Sequence, residues 1–223
     1  MERPNKYLVR VRLDGGQEVE AHLADPGRLK ELLYPGVSGW AIPASGPKRK
    51  TSFDFIAVNH GGSIVSVDTR VPNKYVKELL GTGYLFPFAF DAVRPEFKFG
   101  EKSRIDFMAT RGKEKYLIEV KSVTLVEDGL ALFPDAPTVR GTRHVHELIS
   151  SKKLGYIPVI VLVIQRDDAN SFKPHTRMDP DFSAAFKEAR ECDMDIKAFT
   201  SKTFIDGEGS LRIEPLRFVP VDS

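Results

Sequence analysis

Cysteine is nearly absent from this chain. Among 223 residues only Cys192 carries a thiol, so no disulfide can form within the chain. This excludes the small secreted folds that depend on disulfides and predicts a reducing, cytoplasmic setting. A lone thiol with no activating neighbour in sequence is expected to be structural, not a nucleophile.

Long apolar runs and a one-sided charge are missing as well. No segment reaches the roughly 18 apolar residues that a membrane helix needs, and the N-terminus lacks the apolar core of a signal peptide, so no membrane partner is expected. The formal net charge is +2, so a nucleic-acid surface would have to be a local basic patch. The absence of a helix-turn-helix signature argues against a conventional repressor.

The residues that are present predict two domains of an α+β fold. Residues 1–68 contain five short β-rich runs separated by Gly and Pro turns, a count typical of an OB-like β-barrel. A helix is predicted within this barrel at residues 25–33, with Asp25 as N-cap and Pro26 in its first position. Residues 69–223 predict an α/β domain with a mixed sheet.

The second domain contains strong helix and strand patterns. A helix is predicted at 73–80 with Asn73 as its cap, a second from 138 to about 154, and a third at 179–190. The run 157–164 is almost entirely apolar, which indicates a strand buried on both faces. A helix followed by such a strand predicts a crossover connection in the sheet.

Two acidic residues lie inside neighbouring apolar runs of this domain. Asp106 belongs to the run 105–108 and Glu119 to the run 116–120, and the polar turn between them predicts a β-hairpin. Alternate strand residues share a face, so Glu119 and Lys121 should point the same way, with Asp106 beside them. Grouping these charges is costly without a metal, and the oxygen ligands suit Mg²⁺ or Mn²⁺.

A further acid could complete this set. Glu96 is the preferred choice because a neighbouring strand can present it to the same face. Glu101, in the following turn, and Glu78, on the first helix, are the alternatives. The competing interpretation treats Asp106 and Glu119 as ordinary surface partners of nearby lysines.

Two basic segments could bind nucleic acid. Lys48, Arg49 and Lys50 precede a strand of the barrel and are either a phosphate-binding loop or a solvated charge run. Both interpretations stay open, because other basic residues of the barrel could extend the patch.

Three more basic side chains begin the second helix of the α/β domain. Arg140, Arg143 and His144 could hold phosphates, since a helix N-terminus favours anions. The alternative is that Arg143 pairs with Glu147 one turn later and that His144 packs inside. These two interpretations also stay open.

The hairpin pattern resembles the PD-(D/E)xK nuclease superfamily. The resemblance implies an α-β-β-β-α-β core, with Mg²⁺ held by Asp106, Glu119 and the backbone carbonyl of Val120. It places Lys121 near the attacking water. Ile105 stands where the superfamily motif has proline, a position that varies among its members.

A wider resemblance covers nearly the whole chain. Five segments carry this resemblance, which is to the sugar fermentation stimulation protein A family. They are His22–Gly36, Arg104–Phe107, Glu119–Leu125, Phe133–Pro137 and Arg140–Leu148. Asp25 and Pro26 stand where other members carry Asn-Thr. The resemblance implies an OB-like domain joined to a nuclease-like domain, DNA binding, and a link to the regulation of sugar metabolism.

Three functions follow as hypotheses. The first is a Mg²⁺-dependent nuclease that acts on DNA, with a homodimer as a possible assembly. The second is a DNA-binding regulator that keeps the nuclease fold without the chemistry. The third is an OB-type carbohydrate-binding protein, for which Trp40 and Tyr34 are the evident exposed aromatics.

Overall fold

A computed structural model describes residues 1–100, 103–207 and 210–222. Glu101, one of the alternative acids, lies outside these residues. The N-terminal unit consists of six β-strands: β1 (Glu2–Asn5), β2 (Leu8–Arg12), β3 (Glu18–Leu23), β4 (Gly39–Pro43), β5 (Phe53–His60) and β6 (Ser63–Ser66). The sequence predicted five strands, and the additional one is β1, which pairs antiparallel with β2.

The helix predicted at residues 25–33 is wrong, because the structure has turns there. The Asp25 carboxylate accepts the Gly27 N–H at 2.8 Å, as in an Asx turn, but no helix follows it. The Arg3 guanidinium donates to the carbonyls of Gly27 and Arg28, each at 2.6 Å. A helix would need those carbonyls for its own hydrogen bonds, so the contact with Arg3 replaces helical pairing.

The leucines of this segment fill the core of the N-terminal unit. Leu29 and Leu32 are fully buried there, together with apolar residues of β2, β3, β5 and β6. Leu29 reaches this position with a left-handed backbone, at a φ of 48°. Spacing that is typical of an amphipathic helix therefore arises from turns that direct both leucines inward.

The C-terminal unit begins with a helix and contains a mixed sheet, as predicted. Its elements are α1 (Arg70–Leu79), β7 (Ala92–Phe99), β8 (Ser103–Arg111), β9 (Glu114–Val123), β10 (Leu125–Glu127), β11 (Leu130–Phe133), α2 (Val139–Ser151), β12 (Tyr156–Ile164), β13 (Ser171–Pro174), α3 (Pro180–Glu191), β14 (Asp195–Ile205) and β15 (Leu211–Phe218). A 3₁₀ turn, Lys152–Leu154, extends α2.

The main sheet of this unit has the order β7-β8-β9-β12-β14-β15. Strands β9, β12 and β14 run parallel, and the outer pairs are antiparallel. Helices α2 and α3 cover one face, and α1 covers the other, which explains why β12 is apolar on both faces. Strand β6 joins β14 through the pair Ile64 and Thr203, so one sheet continues through both units.

Among the described residues, a side-chain cap begins two of the three α-helices. Thr138 accepts the Gly141 N–H at the start of α2, and Asp179 accepts the Phe182 N–H at the start of α3. Helix α1 begins three residues before the predicted start, at Arg70, so Asn73 lies inside the helix and is not its cap. No helix among the described residues is long and apolar enough to cross a membrane.

Candidate active site

The site forms where β8 separates from β9. The two strands pair from Arg111 opposite Glu114 to Phe107 opposite Ile118. Beyond this point β8 continues beside β7, and β9 continues beside β12. The predicted hairpin is therefore confirmed, and a gap opens between its strands beyond the last pair.

Asp106 fills the start of this gap. Its Oδ2 atom accepts the backbone N–H of Val120 at 2.8 Å, where the next backbone hydrogen bond between β8 and β9 would otherwise form. The N–H and C=O groups of one strand residue point to the same side, so the Val120 carbonyl also faces the gap. The structure thus brings together the Asp106 carboxylate and the Val120 carbonyl.

Helix α1 supplies a second contact to Asp106. The side-chain amide of Asn73 donates to Asp106 Oδ1 at 2.7 Å. Burial and the nearby charge of Glu119 raise the pKa of Asp106 to about 6, although these hydrogen bonds oppose the shift. The carboxylate is therefore held in place by helix and strand while its charge is only partly compensated.

Glu119 is held from the other side of the sheet. Its Oε1 atom lies 2.6 Å from Lys121 Nζ and 2.5 Å from His144 Nδ1 of α2. The contact with Lys121 confirms that the two side chains share a face. Burial raises the pKa of Glu119, but the charges and hydrogen bonds of Lys121 and His144 outweigh it and hold that pKa at about 2.

The second oxygen of Glu119 has no such contact. Among the described residues, Oε2 is buried and makes no hydrogen bond. A buried carboxylate oxygen is costly when it is left without a partner. A cation bound at this oxygen would remove that cost.

His144 lies beneath Glu119, away from the surface. It is 1% exposed, which leaves no face for the predicted phosphate contact. Arg140 Nε, which can only donate, lies 3.4 Å from His144 Nε2. Because the ionised Glu119 carboxylate can only accept, His144 Nδ1 carries a proton and donates to it.

Arg143 lies apart from the site as well. Its Nε donates to Ser103 Oγ at 3.3 Å and lies 3.9 Å from Glu147 Oε1, the ion pair of the alternative interpretation. It lines a groove on the outer side of α2. Of the three basic residues predicted on α2, only Arg140 is exposed beside the acidic residues.

A cavity of about 620 Å³ surrounds these groups. Asp106, Glu119 and Lys121 line it from the C-terminal unit, and Lys6, Tyr7 and residues 25–27 line it from the N-terminal unit. This space, the central cavity, is therefore a cleft between the two units of the fold.

Glu96 is not among the residues that line the central cavity. It is exposed on β7, with a left-handed φ of 51°. The flanking pairs Pro95–Phe107 and Phe97–Ile105 keep one register, so Glu96 lies opposite Asp106, although these two residues do not pair. Glu78 is also exposed and outside the cavity lining, so neither acid lines the cavity with Asp106.

Comparison with known proteins identifies the chain. A family model described as "SfsA N-terminal OB domain" matches residues 1–67, and one described as "Sugar fermentation stimulation protein RE domain" matches residues 70–206. The chain belongs to the sugar fermentation stimulation protein family. The wider resemblance, to this family, is thereby confirmed, and the N-terminal unit is the OB domain of the family.

Relatives and one solved structure extend this result. The family homolog from Moorella thermoacetica is 42% identical over 201 residues, covering 89% of this chain and 86% of the homolog. The homolog from Methanothermobacter thermautotrophicus is 39% identical over 222 residues, covering 99% and 91%. The structure of Pyrococcus furiosus SfsA in complex with Ca²⁺ has a TM-score of 0.86 at 27% identity, covering 100% of this chain and 94% of that one.

The basic loop of the OB domain is only partly free in this family member. Arg49 forms an ion pair with Asp54 and also donates to the carbonyl of Thr51 at 3.3 Å. Asp54 pairs with Arg70 as well, at 2.9 Å. Burial raises the pKa of Asp54, but its two arginine partners outweigh it and hold that pKa below the ordinary carboxyl value.

Arg49 therefore belongs to the structure of the OB domain, which corrects its predicted role in phosphate binding. The flanking residues Lys48 and Lys50 are exposed and can still contact phosphates. Trp40, proposed as a carbohydrate contact, is half-buried in β4, and Tyr34 is exposed outside the central cavity.

Sequence reasoning missed two contacts of the site. Asn73 lies on α1 directly after the buried Pro72, at the border of the buried face of the helix. A polar residue at the border of an apolar face was the signal in the sequence that could have identified it. Asp135 was the other omission: its Oδ2 accepts the Leu29 N–H of the OB domain at 3.0 Å. Its neighbour across the cleft, Asp25, is buried, which raises the pKa of that carboxyl to about 7.

Proposed function

We propose that the protein is a divalent-metal-dependent nuclease that hydrolyses phosphodiester bonds of DNA. The observation that carries this proposal is the buried, unpartnered Oε2 of Glu119, next to the Asp106 carboxylate and the Val120 carbonyl. Hard oxygen donors of this kind fit Mg²⁺ or Mn²⁺. The related Pyrococcus furiosus structure contains Ca²⁺, another cation that prefers oxygen ligands.

The order of elements gives further support. Helix α1, strands β7, β8 and β9, helix α2 and strand β12 follow one another in the order of the PD-(D/E)xK core, with the β10–β11 hairpin inserted. The acids lie on the second and third of these strands. This order is the one that the sequence resemblance implied.

Asp106, Glu119 and the Val120 carbonyl would hold the metal. When bound, such an ion polarises the scissile phosphate and lowers the pKa of a water molecule. His144 and Asn73 orient the two carboxylates. Lys121 is positioned to donate a hydrogen bond to the attacking water or to the charge that develops on the phosphate.

Arg140 has a separate role in this proposal. It is exposed and lines the central cavity near the start of α2. There its guanidinium can contact a phosphate of the substrate. Of the three basic residues at this helix, it is the one proposed to bind nucleic acid.

One observation favours the alternative, a DNA-binding regulator without catalysis. Within the described ranges, no group of three His, Cys, Asp or Glu residues could hold a metal ion. Among the described residues, two carboxylates and a backbone carbonyl meet in the gap. A regulator of this kind would bind DNA in a salt-dependent way and would keep binding after the acids are replaced.

The test is cleavage of DNA with Mg²⁺, with Mn²⁺ and with a chelator. We expect cleavage only with metal, and its loss in Asp106→Asn and in Lys121→Met. Glu96→Gln is the control, because Glu96 is exposed and outside the cavity. Loss of activity in that control would restore the predicted role of Glu96.

Two outcomes would contradict the proposal. The first is no cleavage of single-stranded DNA, duplex DNA or RNA with either metal. The second is metal-dependent cleavage that Asp106→Asn leaves unchanged. Salt-sensitive DNA binding without cleavage would favour the regulator instead.

A further inference from the structure

We propose that the central cavity accepts a single strand of nucleic acid, with a base stacked on Tyr7 of the OB domain. This inference rests on the proposed nuclease function and specifies its substrate class. Tyr7 lines the same cavity as Asp106, Glu119 and Lys121. It is 45% exposed, so it presents a large aromatic surface to an incoming ligand.

The ring of Tyr7 is already supported from within the OB domain. It stacks on His22 with a centroid separation of 6.4 Å and an interplanar angle of 25°. Its backbone N–H donates to Asn5 Oδ1 at 2.9 Å, and its carbonyl accepts the Leu23 N–H at 2.9 Å. Because these contacts hold Tyr7 in place before a ligand arrives, stacking a base on it costs little conformational entropy.

Positive charge accompanies the aromatic ring. Lys6 Nζ lies 5.0 Å from the centre of the Tyr7 ring and also lines the cavity, and Arg140 contributes a cation from the opposite unit. An aromatic platform beside cations is the combination that binds single strands without reading their sequence. In a duplex the bases are paired and stacked on each other, so Tyr7 would have no free base face to contact.

The walls of the cavity are joined on one side. The Leu29 N–H donates to Asp135 Oδ2 at 3.0 Å, and the Gly27 backbone packs against the same carboxylate. A Cβ atom at Gly27 would lie within 2.4 Å of Asp135 Oδ1, so this approach needs glycine. A cavity of about 620 Å³ with joined walls has the size of sites that enclose small ligands, and therefore suits nucleotides of one strand.

Binding of fluorescent oligonucleotides tests this inference. The probes are a thymidine strand of about 12 nucleotides, within the range that OB domains cover, its duplex, and an abasic strand of equal length. Binding is measured by anisotropy with Ca²⁺, and a gel confirms that the probes remain intact. The variants are Tyr7→Ala, Tyr7→Phe and Tyr34→Ala, the last replacing a tyrosine of similar exposure, 43%, outside the cavity.

We expect the thymidine strand to bind about tenfold more tightly than the duplex. Tyr7→Ala should weaken strand binding about tenfold, equivalent to about 1.4 kcal/mol, within the range for one stacked base. It should leave abasic binding unchanged. Tyr7→Phe, which keeps the ring, and Tyr34→Ala should bind as the unaltered protein does.

Equal affinity for strand and duplex would overturn the inference, as would an equal loss on abasic and thymidine strands. The same experiments can refute the nuclease proposal independently of the stacking site. Absence of any cleavage, together with Tyr7-dependent strand binding, would refute the nuclease and leave the stacking site standing. Cleavage confined to duplex DNA would support the nuclease and refute the single-strand site.

Discussion

Replacing His144 by alanine should weaken metal binding as well as destabilise the fold. His144 donates to Glu119 Oε1 at 2.5 Å and is 1% exposed. That bond fixes the carboxylate so that its unpartnered Oε2 faces the proposed metal. In metal sites, loss of a group that orients a ligand costs about 10–100-fold in affinity, or about 1.4–2.7 kcal/mol.

Two further variants separate this role from packing. Asparagine at position 144 has a side-chain amide near the position of the histidine Nδ1, so His144→Asn should recover most of the metal affinity that His144→Ala loses. His146→Ala is the matched control, since His146 is an exposed residue of the same helix whose side chain pairs with Glu188. It should leave metal affinity unchanged.

The assay is titration calorimetry with Mn²⁺, with thermal unfolding measured on the same samples. His144→Ala also leaves a buried space, so we expect a loss of about 2–4 kcal/mol in the free energy of unfolding. The reasoning would be refuted by unchanged Mn²⁺ affinity in a folded His144→Ala protein. It would be refuted equally if His144→Asn, although folded, bound metal no better than the alanine variant.

Three other predictions follow from the hydrogen bonds and pKa shifts. Below pH about 6, Mn²⁺ affinity measured by calorimetric titration should fall about tenfold per pH unit. The reason is that a proton competes with the metal at Asp106 while Glu119 stays ionised, and a Mn²⁺ affinity that does not change with pH would contradict this. Asn73→Ala should lower cleavage about tenfold at saturating metal, since Asp106 loses its 2.7 Å contact, and unchanged rates would exclude that role. Arg49→Met should cost about 1.5–3 kcal/mol in urea unfolding at neutral pH. The lowered pKa of Asp54 stabilises the fold above its ordinary value of 3.8, so this deficit should shrink in acid, and a pH-independent deficit would contradict the ion pair.

Local patterns predicted the elements of the C-terminal unit well. The hairpin followed from two apolar runs around a polar turn, and β12 from a run that is apolar on both faces. Helix α3 followed from its Asp179 cap and Pro180. In each case the structure-forming signal lies within the element itself, so a single sequence contains it.

Tertiary contacts explain the errors. The turns at 25–33 exist because Arg3, more than twenty residues earlier, binds their carbonyls. His144 lies at a helix start, where a phosphate contact was a reasonable expectation, and only the packing of α2 on the sheet buries it against Glu119. No local pattern of residues reports either contact.

The central cavity could not be predicted for the same reason. Tyr7 and Asp106 are distant in sequence, and they line one cavity because contacts such as the β6–β14 pair and the Leu29–Asp135 hydrogen bond set the two units against each other. The roles of Lys48 and Lys50, the DNA substrate and the possible homodimer stay predictions. They depend on partners, which no contact within the chain reports.

Strand alternation also fails at the centre of the site. Ile105 and Met108, an odd number of residues apart, pack in the same core, while Phe107 packs in the other. Asp106 therefore lies at an irregular point of β8, opposite Glu96, whose backbone is left-handed. This irregularity, and not simple alternation, is what brings the Asp106 carboxylate to the Val120 N–H.

Asp106 consequently has two roles that mutagenesis must separate. It holds the edge of β9 through Val120, and it offers a charged oxygen to the metal. Alanine removes both, so inactivity of Asp106→Ala would not distinguish lost chemistry from a displaced strand. Asparagine keeps an oxygen for the Val120 N–H, and Asn73 can rotate its amide to accept from the new NH₂ group. Asp106→Asn therefore removes the charge alone, and a folded, inactive Asp106→Asn protein would assign the activity to the carboxylate itself.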